Sequence, residues 1–230
     1  MQNGNAMENQ TRSRIFLAAC AAAVAAAFAV GLPKPAYADD DITPPPVPTA
    51  VQVLPGNVPF LVGHGVGTQN YVCLPSGSGV AFTLFTPEAT LFSDDGKQVT
   101  THFFSPNPVE TNTNPAVIAP GVIRATWQHS HDSSTVWAKV KPGESSTDAA
   151  FVAPNAIAWL KLTVVGADVG PTGGDTLTKT TFIQRLNTAG GVAPSTGCRS
   201  SSDVGTLAFV PYTADYFFYK AVGRPADAGN

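Results

Sequence analysis

His129 and His131 stand two residues apart, a spacing that in an extended strand projects both rings from the same face as Trp127. Imidazoles so placed can chelate zinc or copper through their neutral nitrogens. His102 shares its parity with Gln98 and Thr100 in a neighbouring stretch and offers a third nitrogen. A catalytic metal usually wants three protein ligands, and no spacing in the chain brings His102 beside His129. His131 also opens a turn, where a solvated histidine is ordinary. The expectation is surface and turn histidines with no metal and no other cofactor.

Trp127 and Trp137 suggest a second chemistry, because an exposed indole offers a sugar ring a flat apolar platform with one donor. An even-length connection turns the two rings to opposite faces, and an odd one turns them to the same face. Both arrangements are open at this level. The bland expectation is one tryptophan in the core and the others partly covered. Glu88, Asp94, Asp95 and Asp132 are the candidate carboxylates, but the three aspartates hold turn positions where Asp bonds its local backbone. The opposed acids that glycoside hydrolysis needs cannot be placed from that pattern. The ligand-binding candidates are therefore His102, Trp127, His129, His131 and Trp137.

Two glycine motifs fall short of known chemistry. Gly63-His64-Gly65-Val66-Gly67 lacks the spacing of a dinucleotide fingerprint and runs on into strand-like sequence, so a glycine-rich bulge or tight turn is expected. Gly77-Ser78-Gly79 lacks the flanking pattern of a nucleophile elbow.

The elements that must hold these residues read as short apolar runs separated by Gly, Pro, Asn, Asp and Ser. Ten strands are predicted, over 61–74, 81–85, 90–93, 98–104, 122–129, 135–140, 157–165, 176–186, 206–210 and 216–222. Asp94-Asp95-Gly96-Lys97 and His131-Asp132-Ser133-Ser134 join antiparallel hairpins. From Ala158 to Val164, period two sends Ala158, Leu160, Leu162 and Val164 to a core face and Trp159, Lys161 and Thr163 to a partly wet one. Stretches 105–121 and 166–174 read as surface loops. No stretch after residue 38 sustains an apolar stripe at helical spacing, and no repeat is present. The fold class is all-β, a single antiparallel β-sandwich or barrel-like domain.

Composition narrows the classes further. The 230 residues carry 13 Lys plus Arg against 16 Asp plus Glu, with 13% charged and 43% hydrophobic side chains, which excludes a coiled coil and wholesale disorder. A slightly acidic chain also lacks the basic footprint of a nucleic-acid binder. Arg12 and Arg14 precede an uncharged apolar run from Ile15 to Leu32, and Ala36-Tyr37-Ala38 follows as a small-x-small cleavage site. Residues 1–38 read as a secretory signal peptide. The alternatives weighed against it are a retained membrane anchor and lipidation at Cys20, after Leu17-Ala18-Ala19. Cleavage would leave no membrane span in the mature chain and would deliver it to the periplasm, the cell surface or the medium. Residues 39–50, with Pro44, Pro45, Pro46 and Pro48, read as an extended tether, and 51–230 as one domain. Loss of Cys20 leaves Cys73 and Cys198, which an oxidising compartment would join.

Several local sequences resemble the DUF3455 family. They are Pro87-Glu88-Ala89-Thr90-Leu91-Phe92, His102-Phe103-Phe104, Thr126-Trp127, Asp132-Ser133-Ser134-Thr135-Val136-Trp137, Ala158-Trp159-Leu160, Ile183-Gln184-Arg185-Leu186-Asn187-Thr188 and the stretch Val210-Pro211-Tyr212-Thr213-Ala214-Asp215-Tyr216-Phe217-Phe218-Tyr219. The resemblance spans about Val51 to Lys220. It implies a small exported bacterial or fungal protein of undefined biochemical function, and so a single secreted domain. Some fungal relatives are loosely labelled malate dehydrogenases, a label to which these residues lend no support.

The reading that results is a secreted or cell-envelope β-domain that binds without catalysing, with a cell-surface glycan or a protein as the partner class. The alternative is a metal-assisted hydrolase or oxidoreductase built on His102, His129 and His131. Convergence of those three imidazoles would favour the alternative.

Overall fold

Alternating side chains, punctuated by turns that need Gly or Asp, build eight strands. The computed structural model describes residues 42–105 and 124–223. The strands are β1 (Asn57–Ser76), β2 (Gly79–Phe92), β3 (Gln98–Ser105), β4 (Arg124–His129), β5 (Thr135–Ser146), β6 (Trp159–Asp168), β7 (Thr180–Gly190) and β8 (Leu207–Ala221). Each pairs antiparallel with the next, and β8 returns to pair with β1, closing a barrel with no free sheet edge. The all-β expectation holds, and of its two forms the barrel is the one adopted. An eight-stranded barrel is just wide enough inside to be filled by side chains or to hold one small ligand.

Ten expected strands become eight because two prolines do not break their strands. Pro87 lies within β2 opposite Gln69, beyond the last β2–β3 pair at Ala89 and His102. Pro211 lies within β8 opposite Thr68, beyond the last β7–β8 pair at Gly190 and Tyr212. Each strand therefore runs through its proline where one of its two ladders has already ended, as proline's missing donor requires. At Pro87 the Thr86 hydroxyl takes over and accepts a hydrogen bond from the Phe104 amide at 2.9 Å.

Both predicted hairpins form. Gly96 takes a φ of 76° and donates its amide to Ser93 O at 2.8 Å, while Ser133 takes a φ of 57°. Residues 176–179, expected at the start of a strand, instead form successive turns in which Thr178 N donates to Asp175 O and Thr180 N to Leu177 O. These turns drop Leu177 into the core with Leu91, Trp127, Val136 and Phe218, plugging one end of the barrel. Residues 166–168, expected in a loop, complete β6.

The glycine run 63–67 is neither bulge nor turn. It is regular β1, in register with β2 and β8 on both sides, and its three glycines face inward. A Cβ at Gly63 would meet Leu91, at Gly65 the Tyr216 ring, and at Gly67 the backbone of Glu88 and Ala89. These positions are empty because neighbouring side chains and strands occupy the space.

The segment expected to be a free tether is a strap across the outside of the barrel from Ile42 onward. Ile42, Val47, Val51 and Val53 pack with Trp159, Leu186 and Phe217. Gln184 Nε2 donates to Val51 O at 2.6 Å, and Lys161 Nζ donates to Gln52 O at 3.0 Å. The outer face of β6, expected to be partly wet, is covered there for that reason.

Cys73, near the end of β1, is bonded to Cys198 in the β7–β8 connection, with a Cα separation of 5.5 Å. The expected signal peptide, residues 39–41 of the expected tether, residues 106–121 of the expected loop, and Val122 and Ile123 of the fifth predicted strand lie outside the described residues. Among the described residues, no helix is long and apolar enough to cross a membrane.

Candidate functional site

The end of the barrel opposite Leu177 holds a cavity of about 810 Å³. Its size lies within the range of small-molecule pockets. Inward positions of six strands supply the wall: Tyr71 of β1, Pro87 of β2, Phe104 of β3, Val140 of β5, Leu160 and Leu162 of β6, and Arg185 of β7. Trp127 and Tyr216 carry the wall down toward the core, where both are fully buried.

His102 lies in this lumen, stacked on Trp127 with ring centroids 4.2 Å apart and planes within 8°. Its Nδ1 lies 2.9 Å from Thr126 O, and a carbonyl can only accept, so Nδ1 carries the proton and Nε2 offers a lone pair. Burial, with a smaller contribution from the Arg185 charge, pulls the His102 pKa down to about 3, so the ring is neutral at physiological pH. Tyr212 and Tyr216 share a 3.0 Å hydrogen bond, and burial raises both phenols above their ordinary range. Tyr71 donates its hydroxyl to Gly191 O at 2.6 Å.

Arg185 is paired in register with Tyr216 and follows Ile183 on the inward face of β7. Its guanidinium donates from Nη2 to Ala158 O at 2.8 Å and from Nε to the same oxygen at 3.3 Å. No carboxylate lines the cavity, and Arg185 forms no ion pair among the described residues. A further donor, Trp127 Nε1, is buried there without a hydrogen-bond partner, while the Gln69 side chain reaches the Tyr212 hydroxyl. An unsatisfied buried donor costs about 1–3 kcal/mol.

The remaining candidates go elsewhere. His129 Nδ1 lies 2.9 Å from Asp132 Oδ1, and the His131 ring centroid is 6.0 Å from that of His129. Asp132 organises the plugged end. Its Oδ1 also accepts from the Ser134 amide and hydroxyl, and its Oδ2 accepts from the amide and hydroxyl of Thr176. Desolvation opposes ionisation there, but those bonds outweigh it and hold the carboxyl well below the usual range. Among the described residues, no three His, Cys, Asp or Glu side chains gather as a ligand set. The metal-assisted alternative therefore lacks the convergence it needs.

Trp137 points away from Trp127. The last paired residues of β4 and β5, Gln128 and Thr135, leave an even-numbered connection, so Trp127 opposes Val136 inside while Trp137 opposes Thr126 and lies 5.9 Å from the Arg124 guanidinium. Together they form no platform. His64, on the outward parity of β1, bonds Asp215 at 2.7 Å and Asp94 at 2.9 Å.

Of the five residues singled out in the sequence, the lumen collects His102 and Trp127. Arg185, Tyr216, Tyr71 and Gln69 were missed. The signal for Arg185 was faint: it shares the parity of Ile183, but Thr181 and Asn187 share it too, so no apolar stripe marks it out. A DUF3455 family model, described as a protein of unknown function, matches residues 55–220. No curated protein and no solved structure matches the chain.

Proposed function

The chain belongs to the DUF3455 family, a family of unknown function, and from that premise we propose that it is an exported binding protein holding a small, largely apolar molecule inside its barrel. The cavity carries this reading. Space of about 810 Å³, walled by Leu, Val, Pro, Phe and Trp and furnished with a few buried polar groups, is the composition of a small-molecule site. The wall strands close on one another, so the volume is preorganised and little ordering cost falls on binding.

Binding is favoured over catalysis by the protonation states of the same groups. A histidine whose pKa is about 3 is a feeble base at neutral pH, and phenols with raised pKa values keep their protons. Such groups orient a ligand through hydrogen bonds without exchanging protons with it. Export is supported by the order of the amino-terminal signals and by a disulfide suited to an oxidising compartment.

The test is saturable uptake of a neutral fluorescent naphthylamine by the full chain. One equivalent should enter, and Ala125→Trp, which fills the cavity from its wall, should abolish uptake while the far-ultraviolet circular dichroism is retained. Absence of uptake, or uptake indifferent to the filled cavity, would contradict the proposal.

A further inference from the structure

We infer that the lumen selects hydrophobic monocarboxylic acids, with Arg185 as the counter-charge for the carboxylate. This rests on the proposed binding role and names the ligand class for the same cavity. Arg185 presents five guanidinium donors, of which Nε and Nη2 meet one carbonyl oxygen, Ala158 O, and another reaches the Tyr216 hydroxyl, leaving the rest for a ligand. The cavity wall around it offers no carboxylate among the described residues. Trp127 Nε1 is buried there with no acceptor, at 0% exposure. The Tyr216 hydroxyl lies beside Arg185. A site lined by three cations, Arg124, Lys139 and Arg185, with an unspent indole donor and no carboxylate among the described residues, is complementary to a group that only accepts and carries a negative charge. A carboxylate meets both conditions, and its planar pair of oxygens suits a guanidinium edge.

The rest of the ligand follows from the wall. Leu84, Pro87, Phe104, Val140, Leu160 and Leu162 are apolar, so the body of the acid is hydrocarbon or aryl. His102 Nε2, the neutral acceptor of the lumen, suits a hydroxyl on that body.

Displacement of the neutral naphthylamine tests this with matched ligands, dodecanoic acid against its methyl ester and 2-naphthylacetic acid against its methyl ester. At pH 7.5 at least one acid should outcompete its ester by about tenfold or more, the scale of a hydrogen bond to a charged group. The aliphatic and aryl pairs distinguish the two kinds of body. Acidification should erase the preference in the wild type as the ligand's carboxyl protonates. The acid-to-ester ratio should fall toward one in Arg185→Gln and persist in part in Arg185→Lys. Equal affinity of acid and ester in both pairs, or a preference that survives Arg185→Gln, would overturn the inference and leave the binding role standing. A neutral probe that fails to enter the wild type would overturn both.

Discussion

Gly65 carries no side chain because the ring of Tyr216 fills its place, so that a Cβ on Gly65 would stand 2.9 Å from Tyr216 Cε2 and 3.2 Å from Ala214 O. Tyr216 in turn is paired with Arg185 on its other side. The glycine of β1 and the charge of β7 are thus linked through one tyrosine. Gly65→Ala should cost about 1–3 kcal/mol, the range for overpacking a filled core. Chemical denaturation checks it, and a neutral substitution would show that Tyr216 yields its position freely.

What could be read in the residue order was what depends on neighbours in the chain. Gly96 and the Asp132 turn declared two hairpins because each turn is built from its own residues. The parity of Leu160 and Leu162 declared the inner face of β6 because alternation is local. Closure of β8 on β1 has no local signature, since the paired residues Gly65 and Ala214 lie far apart in sequence. Pro87 and Pro211 concealed continuous strands, because whether a missing amide donor matters depends on which ladders continue past it. The strap reads locally as a tether because its partners, Gln184, Lys161 and Trp159, lie on strands more than a hundred residues away. Arg185 has no local mark, because its isolation from carboxylates exists only once the barrel has formed.

The Cys73–Cys198 bond ties the end of β1 to the connection preceding β8. Its 125-residue separation encloses most of the barrel. Chain-entropy arguments place its contribution at about 4–5 kcal/mol, less where the reduced state keeps structure. Non-reducing mass spectrometry of the digested protein should recover the linked peptides. The double variant Cys73→Ala, Cys198→Ala should unfold at lower denaturant by about 2–5 kcal/mol, whereas unchanged stability would contradict that contribution.

Two histidines should pull stability in opposite directions with pH. The Asp215 hydrogen bond, opposed by desolvation and aided by Asp94, raises the His64 pKa in the folded state. Its stabilisation is therefore fully present below the unfolded value of about 6.5 and is lost as pH rises through the folded value. His102 is held neutral, with a folded pKa of about 3. Between about pH 6.5 and 3 the unfolded chain takes up a proton that the folded chain refuses, so stability falls with acid by up to about 1.4 kcal/mol per pH unit. His64→Gln should narrow its difference from wild type above neutrality, and His102→Gln should flatten the acid limb. Thermal unfolding across pH 4–9 reads both, and an acid limb unchanged in His102→Gln would contradict the assignment.

The mature amino terminus is expected near Asp39, from the order of basic residues, apolar run and Ala-x-Ala. Amino-terminal sequencing of exported protein should find it there. A secreted chain that keeps Met1, or one lipidated at Cys20, would contradict the cleavage.

The most direct test of the lumen as the binding site uses the tryptophans as internal reporters. Trp127 is buried in the lumen with its indole N–H unpaired, whereas Trp137 faces outward beside Arg124. In a heteronuclear NMR titration of the full chain with 2-naphthylacetic acid, the Trp127 indole resonance should shift saturably to one equivalent while that of Trp137 stays in place. A saturable shift at Trp137 with Trp127 unmoved would place the ligand on the outer face and contradict the account.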